Sequence, residues 1–216
     1  MKRRAEFALK RFFDAVIAGA GLIVFLPGFV LIALAIVIES PGSAFYVQER
    51  VGRAGTRFRM LKFRTMIPNA EHVGSGLYVS KADSRITRIG RILRRFSFDE
   101  LPQLWNIMVG EMSIIGPRPG LPYHLEHFTP RLTRRLSVRP GLTGWSQVNG
   151  RNELSWPERL EADAWYVDHF SLWLDVRILW RTPVVWLSGK GLYAERDRFF
   201  FSAQDDIPAP SRRTCD

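Results

Sequence analysis

The sequence predicts a mostly α-helical protein with a small β element. An N-terminal membrane helix, broken at its middle and re-entrant, precedes amphipathic interfacial helices around a compact cytosolic core. Three observations carry this. Residues 15–38 read AVIAGAGLIVFLPGFVLIALAIVI, without a single charge. Basic residues crowd both flanks of that segment. The chain beyond it alternates once as a strand and then turns amphipathic at helical spacing.

The apolar segment comes first. As a straight helix it would extend about 36 Å, against a hydrocarbon core of about 30 Å. It is too long for a signal-peptide core, and no A-x-A-like site follows it. Lys2, Arg3, Arg4, Lys10 and Arg11 precede it; Arg50, Arg53, Arg57, Arg59, Lys62 and Arg64 follow it. Basic flanks favour the cytoplasmic side. One spanning helix, the competing topology, cannot put both flanks there, whereas a hairpin can. Pro27 followed by Gly28 supplies the break, because proline deletes a helical hydrogen bond and clashes with the preceding turn.

Charge narrows the partners. The chain has 31 Lys+Arg against 21 Asp+Glu, a net charge of +10. A protein this basic seeks nucleic acid, anionic head groups or phosphorylated small molecules. The apolar segment argues for no nucleic acid and for a lipid bilayer. The single cysteine, Cys215, excludes an intrachain disulfide and a cysteine metal site.

Three regions follow: residues 1–40 as the membrane helix, 41–188 as the core domain and 189–216 as a polar tail. The run RFRMLKFRTM, 57–66, reads as a strand carrying Arg57, Arg59, Lys62 and Arg64. Residues 67–84 read as a polar loop. Residues 85–96 form an amphipathic helix, with Ile86, Ile89, Ile92, Leu93 and Phe96 on one arc and four arginines opposite. Such a helix reads either as a solvated surface helix or, as is more common beside a membrane segment, as one lying in the head-group plane. SIIGPRPG (113–120) and SVRPGLTGWSQVNGRN (137–152) set arginines beside proline and glycine, loops that suit phosphate oxygens as well as ordinary turns. Trp165, Trp173, Trp180 and Trp186 lie along helical sequence; core packing is the default reading and a bilayer interface the alternative. There is no repeat, Walker motif or G-x-G-x-x-G, and the isolated pair His124 and His127 reads as structural.

The stretch RRFSFDELPQLWN holds adjacent carboxylates, Asp99 and Glu100. Ser97 stands at capping-box spacing from Glu100. Asp99 as N-cap is the alternative, and it places Pro102 at the third helical position, where a missing N–H is no loss. Either way the acids crowd a helix start whose dipole favours their ionised forms. Adjacent anions call for a cation or a divalent metal, and Mg²⁺ commonly joins carboxylates to substrate phosphates. An ionised carboxylate can also attack phosphorus. Acids, surplus cations and a bilayer segment together point to phosphoryl chemistry on a membrane-soluble substrate.

ESPGSAFYVQERVGRAGTRFRMLKFRTM, SFDELPQLWNIMVGEMSIIGPRPG and VRPGLTGWSQVNGRN, in this order, resemble the bacterial sugar transferases, the monotopic polyprenyl-phosphate phosphoglycosyl transferases. The resemblance runs from about residue 8 to about residue 187, and the length is similar to that of the small members, which are the catalytic core alone. It implies transfer of a phospho-sugar from a UDP-sugar to undecaprenyl phosphate, with release of UMP. It implies a ping-pong reaction through a covalent intermediate on Asp99, with Asp99 and Glu100 at Mg²⁺. Lys62, Arg94, Arg118 and Arg139 are then expected at phosphate oxygens. The implied location is the bacterial inner membrane, with the catalytic domain on the cytoplasmic face. The family's helix breaks at a Ser-Pro pair; here Leu26 precedes Pro27, so no hydroxyl serves the break. A non-catalytic scaffold of a glycan assembly machine is the rival reading, and no residue identifies the sugar.

Overall fold

The computed structural model describes residues 2–73, 79–80, 82–189 and 191. The rest of the expected tail, 192–216, and the side chains of His124 and His127 lie outside the described residues. The chain opens with helix α1, Lys2–Glu39. Among the described residues it is the one helix long and apolar enough to cross a membrane. Its backbone stays helical through Leu26 and Pro27, so the expected break takes the form of one missing hydrogen bond rather than an interrupted helix.

A single seam of α1 faces the rest of the chain from end to end. Phe7 stacks on Phe170, with ring centroids 4.3 Å apart. Lys10 pairs with Asp175 at 2.6 Å. Asp14 accepts from the Ser113 hydroxyl at 2.7 Å and the Ile114 N–H at 3.1 Å. Ala18, Leu22 and Phe29 join one core cluster, and Ile32, Ala33 and Ile36 join another. At the far end Glu39 accepts from the N–H groups of Arg88 and Ile89. The opposite face, including Phe12, Val16, Ile23, Val24, Leu31, Leu34 and Ile38, is apolar and exposed.

An antiparallel hairpin follows, β1 (Phe45–Val51) with β2 (Arg57–Phe63), registering Tyr46 with Lys62 and Arg50 with Phe58. The expected strand to residue 66 ends at Phe63, with Arg64 N–H still donating to Ala44 O at 2.8 Å before Thr65 turns to another partner. The Arg64 guanidinium turns to the carbonyls of Ser40 and Pro41, and Thr65 O accepts from Thr87 N–H. Helix α2 (Arg88–Arg95) is capped by the Thr87 hydroxyl and buries Gly90 and Leu93; Ile92, expected on its apolar arc, is exposed. Helix α3 (Gln103–Val109) sits on β2 through Asn106. The Asn106 side chain accepts from Leu61 N–H at 3.0 Å and donates to Arg59 O at 2.8 Å, as a neighbouring strand would. Arg11 of α1 donates to the Ile107 and Met108 carbonyls at the end of α3, satisfying groups a helix end leaves open.

The loops expected at 113–120 and 137–152 contain two short parallel strands, β3 (Ser113–Ile115) and β4 (Gly141–Thr143). Short helices α4 (Pro130–Thr133) and α5 (Trp145–Val148) lead to α6 (Trp156–Asp168) and α7 (Leu172–Ser188). Trp165 stacks on the buried Trp145, and Trp186 packs on the cluster of Ala18 and Leu104. Trp173 and Trp180 do not pack in a core: they are 69% and 84% exposed, because α7 buries its other face through Leu174, Ile178 and Thr182.

Close approach of α2 to the segment after β2 requires Gly90. A Cβ there would lie 2.0 Å from the Thr65 carbonyl oxygen, a backbone atom that cannot rotate away. Gly90→Ala is expected to cost about 3 kcal/mol and to lower the melting temperature in detergent by roughly 6 °C or more. An unchanged melting curve would contradict this packing.

Candidate active site

The reversal after α2 builds the site. Ser97 takes the left-handed conformation, φ 57°, and the tight turn Phe98–Glu100 follows before Pro102 opens α3. Neither expected cap forms. The Ser97 hydroxyl accepts from Arg151 Nη2 at 3.1 Å instead of closing a box with Glu100. Glu100 is unavailable for a box because its carboxylate is drawn across the fold. Lys62 Nζ and Arg118 Nη2 each donate to Glu100 Oε1 at 2.7 Å. Asp99 is not the N-cap either, since Pro102 holds that position.

The turn opens into a cavity of about 590 Å³. Alternate residues of β1, namely Tyr46, Gln48 and Arg50, line one wall with Lys62, as the two-residue period of a strand dictates. Arg94 enters from α2 with its Nε on the Thr65 hydroxyl at 2.8 Å. Arg118 arrives on the loop after β3. Its carbonyl is held by Arg135, which also pairs with the buried Asp163 at 2.6 Å, and Ser146 donates to the other Asp163 oxygen. Arg151 and Arg159 close the far side, the latter over the Trp156 ring at 5.3 Å.

Thus Asp99, Glu100, Lys62, Arg94 and Arg118 come together as expected residues of one cavity. Arg139 does not join them. Its Nε donates to the Gly110 carbonyl at 2.8 Å, beside Arg11 at the end of α3. Leu26 and Pro27 lie on exposed positions of α1. Sequence reasoning missed Arg50, Arg135, Arg151 and Arg159. For Arg151 the available signal was its place after Gly150 in the same motif that supplied Arg139.

The two acids differ in surroundings. Burial pushes Glu100 up, but Arg118 and Lys62 outweigh it and hold the carboxyl well below its ordinary range. Asp99 carries no hydrogen bond or ion pair among the described residues. Burial raises it; Lys62 opposes the rise and the Glu100 charge adds to it, leaving it above the usual carboxylate value. Asp99 is therefore the open carboxylate and Glu100 the committed one. Among the described residues no cluster of three metal-binding side chains exists. Asp99 fits a Mg²⁺ that takes its other ligands from substrate phosphates, whereas the Glu100 oxygens already face two cations.

The bacterial sugar transferase profile matches residues 5–189. The chain belongs to the bacterial sugar transferase family. It is 41% identical over 199 residues to the UDP-galactose-lipid carrier transferase of Erwinia amylovora, covering 86% of this chain and 42% of that protein. It is 38% identical over 206 residues to the undecaprenyl-phosphate galactose phosphotransferase of Salmonella typhimurium, covering 89% of this chain and 43% of that protein. With an exopolysaccharide production protein of Rhizobium meliloti it shares 39% identity over 199 residues, 85% of this chain and 88% of the relative. The chain thus spans about two fifths of the length of the first two relatives.

The paired acids make a direct prediction. Glu100→Gln removes the like charge and leaves Lys62 and Arg118 facing Asp99. The Asp99 carboxyl, followed by ¹³C NMR with labelled aspartate, is expected to titrate at lower pH than in the unsubstituted protein. A titration that stays put or moves up contradicts the coupling.

Proposed function

We propose that this bacterial sugar transferase moves a phospho-sugar from a UDP-sugar to undecaprenyl phosphate, releasing UMP. The observation that carries the proposal is the open Asp99 carboxylate in a cavity lined by Lys62, Arg94 and Arg118, beside an apolar helix. The reaction runs in two displacements. An Asp99 oxygen bonds to the sugar-proximal phosphorus, and the bond to the UMP oxygen breaks with its electron pair. A polyprenyl phosphate oxygen then bonds to the same phosphorus, and the Asp99 carboxylate leaves.

The residues divide the work. Lys62 and Arg118 are pre-set on Glu100, so they face the phosphoryl group without reorganising. Lys62 also opposes protonation of the nucleophile. Mg²⁺, held by Asp99 and substrate phosphate oxygens, would supply further neutralisation of phosphoryl charge. Undecaprenyl phosphate and a UDP-sugar are the substrates that the names of the relatives favour.

Topology follows from the seam on α1. Arg3, Lys10 and Arg11 before Pro27 and Glu39 after it bind one and the same body. Both ends bound to one body favour a single side of the bilayer, and this supports a re-entrant monotopic arrangement. The basic flanks favour the cytoplasmic face of the inner membrane as that side. The exposed Trp173, Val176, Trp180, Val184 and Leu187 of α7 would meet the interface, where amphipathic rings suit the depth.

Two experiments test this. Asp99→Asn is expected to form no covalent phospho-sugar adduct by mass spectrometry and to release UMP at least about a thousandfold more slowly, while the fold persists. Full activity in that variant rules out Asp99 as nucleophile, and no UMP from any of a broad panel of UDP-sugars rejects the reaction. With Cys215 replaced, single cysteines introduced near residues 5 and 50 are expected to label from the same side of sealed vesicles. Labelling from opposite sides sinks the re-entrant arrangement.

A further inference from the structure

Arg151 differs from the other cations of the cavity. Its backbone is held at φ 53°, an uncommon conformation for any residue but glycine, and its Nη2 reaches Ser97, which is itself at φ 57°. Two strained positions are thus tied together two residues before the nucleophile. Such strain persists where the surroundings over-determine it, and it gathers at working sites. The other end of the guanidinium, Nη1, is buried with no hydrogen-bond partner, and Arg151 makes no ion pair among the described residues. Lys62 and Arg118 share Glu100, and Arg135 is paired with Asp163. Arg50, Arg94 and Arg159 make no ion pair among the described residues but spend their guanidinium N–H groups on neutral oxygens. It is the strained backbone and the open Nη1 together that set Arg151 apart.

A guanidinium nitrogen buried without a hydrogen-bond partner is costly unless an acceptor arrives to complete it. Glu100 and Asp99 attract Arg151 across the cavity, yet neither bonds to it. Stabilisation is largest where charge develops during reaction. In the proposed reaction that charge appears on the oxygen opposite Asp99. When Asp99 attacks, the departing oxygen lies in line on the far side of phosphorus. When the acyl phosphate is attacked in turn, the entering oxygen must come from that same far side. The leaving group of the first displacement and the nucleophile of the second are both phosphate monoesters, and they need the same place.

We infer that Arg151 and the space beside its free Nη1 form one phosphate-monoester subsite, used first by departing UMP and then by entering polyprenyl phosphate. This rests on the two-displacement reading above. The subsite gives a physical reason for the ping-pong order: the acceptor cannot seat until the nucleotide has left. Arg151 is in this account a residue that touches substrate in both half-reactions, while Ser97 is a positioning residue that holds it.

Calorimetry on the full chain in detergent tests the inference with two probes, UMP and a short-chain prenyl phosphate. The two are expected to exclude one another on the unsubstituted protein. Arg151→Gln is expected to weaken both by at least tenfold, and Arg151→Lys, which keeps the charge but not the fork, to fall between. Simultaneous binding of both probes overturns the shared subsite, and so does unchanged affinity in a folded Arg151→Gln protein. If Arg151→Gln does not fold, the exclusion experiment on the unsubstituted protein decides by itself. A chain that releases UMP from a UDP-sugar yet binds both probes together keeps the transferase reading and loses the subsite. A chain that binds neither probe and releases no UMP loses both.

Discussion

The Glu100 carboxylate is the charge on which the site converges. Lys62 comes from β2, Glu100 from the turn after α2, and Arg118 from the loop after β3. Among the described residues no other ion pair joins these segments. A buried ion cluster of this kind is weak evidence for stability, since the desolvation it demands can exceed the attraction it returns. Its value lies in position. With two cations on one carboxylate, the cluster keeps an excess positive charge facing the cavity, and it cannot rearrange without leaving a buried charge unpaired. Behind it the Arg135–Asp163 pair fixes the Arg118 backbone, and Ser146 completes Asp163. The cations that face the cavity are thereby held in place.

The membrane helix is part of the same construction. Arg11 and Arg139 both meet the C-terminal end of α3, the helix that begins directly after the acid turn. Lys10 completes Asp175, whose other oxygen takes the Tyr166 hydroxyl. A helix serving only as an anchor has no use for a half-buried Lys10 and Arg11 and a buried Asp14 turned toward the protein. Here α1 is a wall of the core on one side and an apolar surface on the other, so lipid contact and site geometry share one rigid element.

Much of this was legible in the sequence where the signal was periodic. The uncharged run 15–38, the alternation of β2 and the adjacent acids all needed only local patterns. The misreadings fall where a distant partner overrides a local rule. Ser97 and Glu100 have capping-box spacing, yet Lys62, thirty-eight positions earlier, captures the glutamate. Arg139 and Arg151 sit in one Gly- and Pro-bearing motif and cannot be ranked from composition; only the fold sends Arg139 to α3 and Arg151 to the cavity. The spacing of Trp173 and Trp180 correctly places them on one face of α7. Which face is outward depends on where α7 lands, and that is not written in its own periodicity.

Adjacent carboxylates of the same chemistry end up with opposite characters, and the adjacency is what makes this possible. Glu100 takes the cations and stays ionised under nearly all conditions; its fixed negative charge then lies beside Asp99 and raises the proton affinity of Asp99. A carboxylate of higher proton affinity is the better nucleophile when ionised. Lys62 works in the other direction and opposes the protonation of Asp99. In the proposed reaction the nucleophile must also leave in the second displacement, which a strongly basic oxygen does badly. Opposing neighbours on a single carboxylate suit both demands of that proposal: Glu100 favours attack, and Lys62 favours departure.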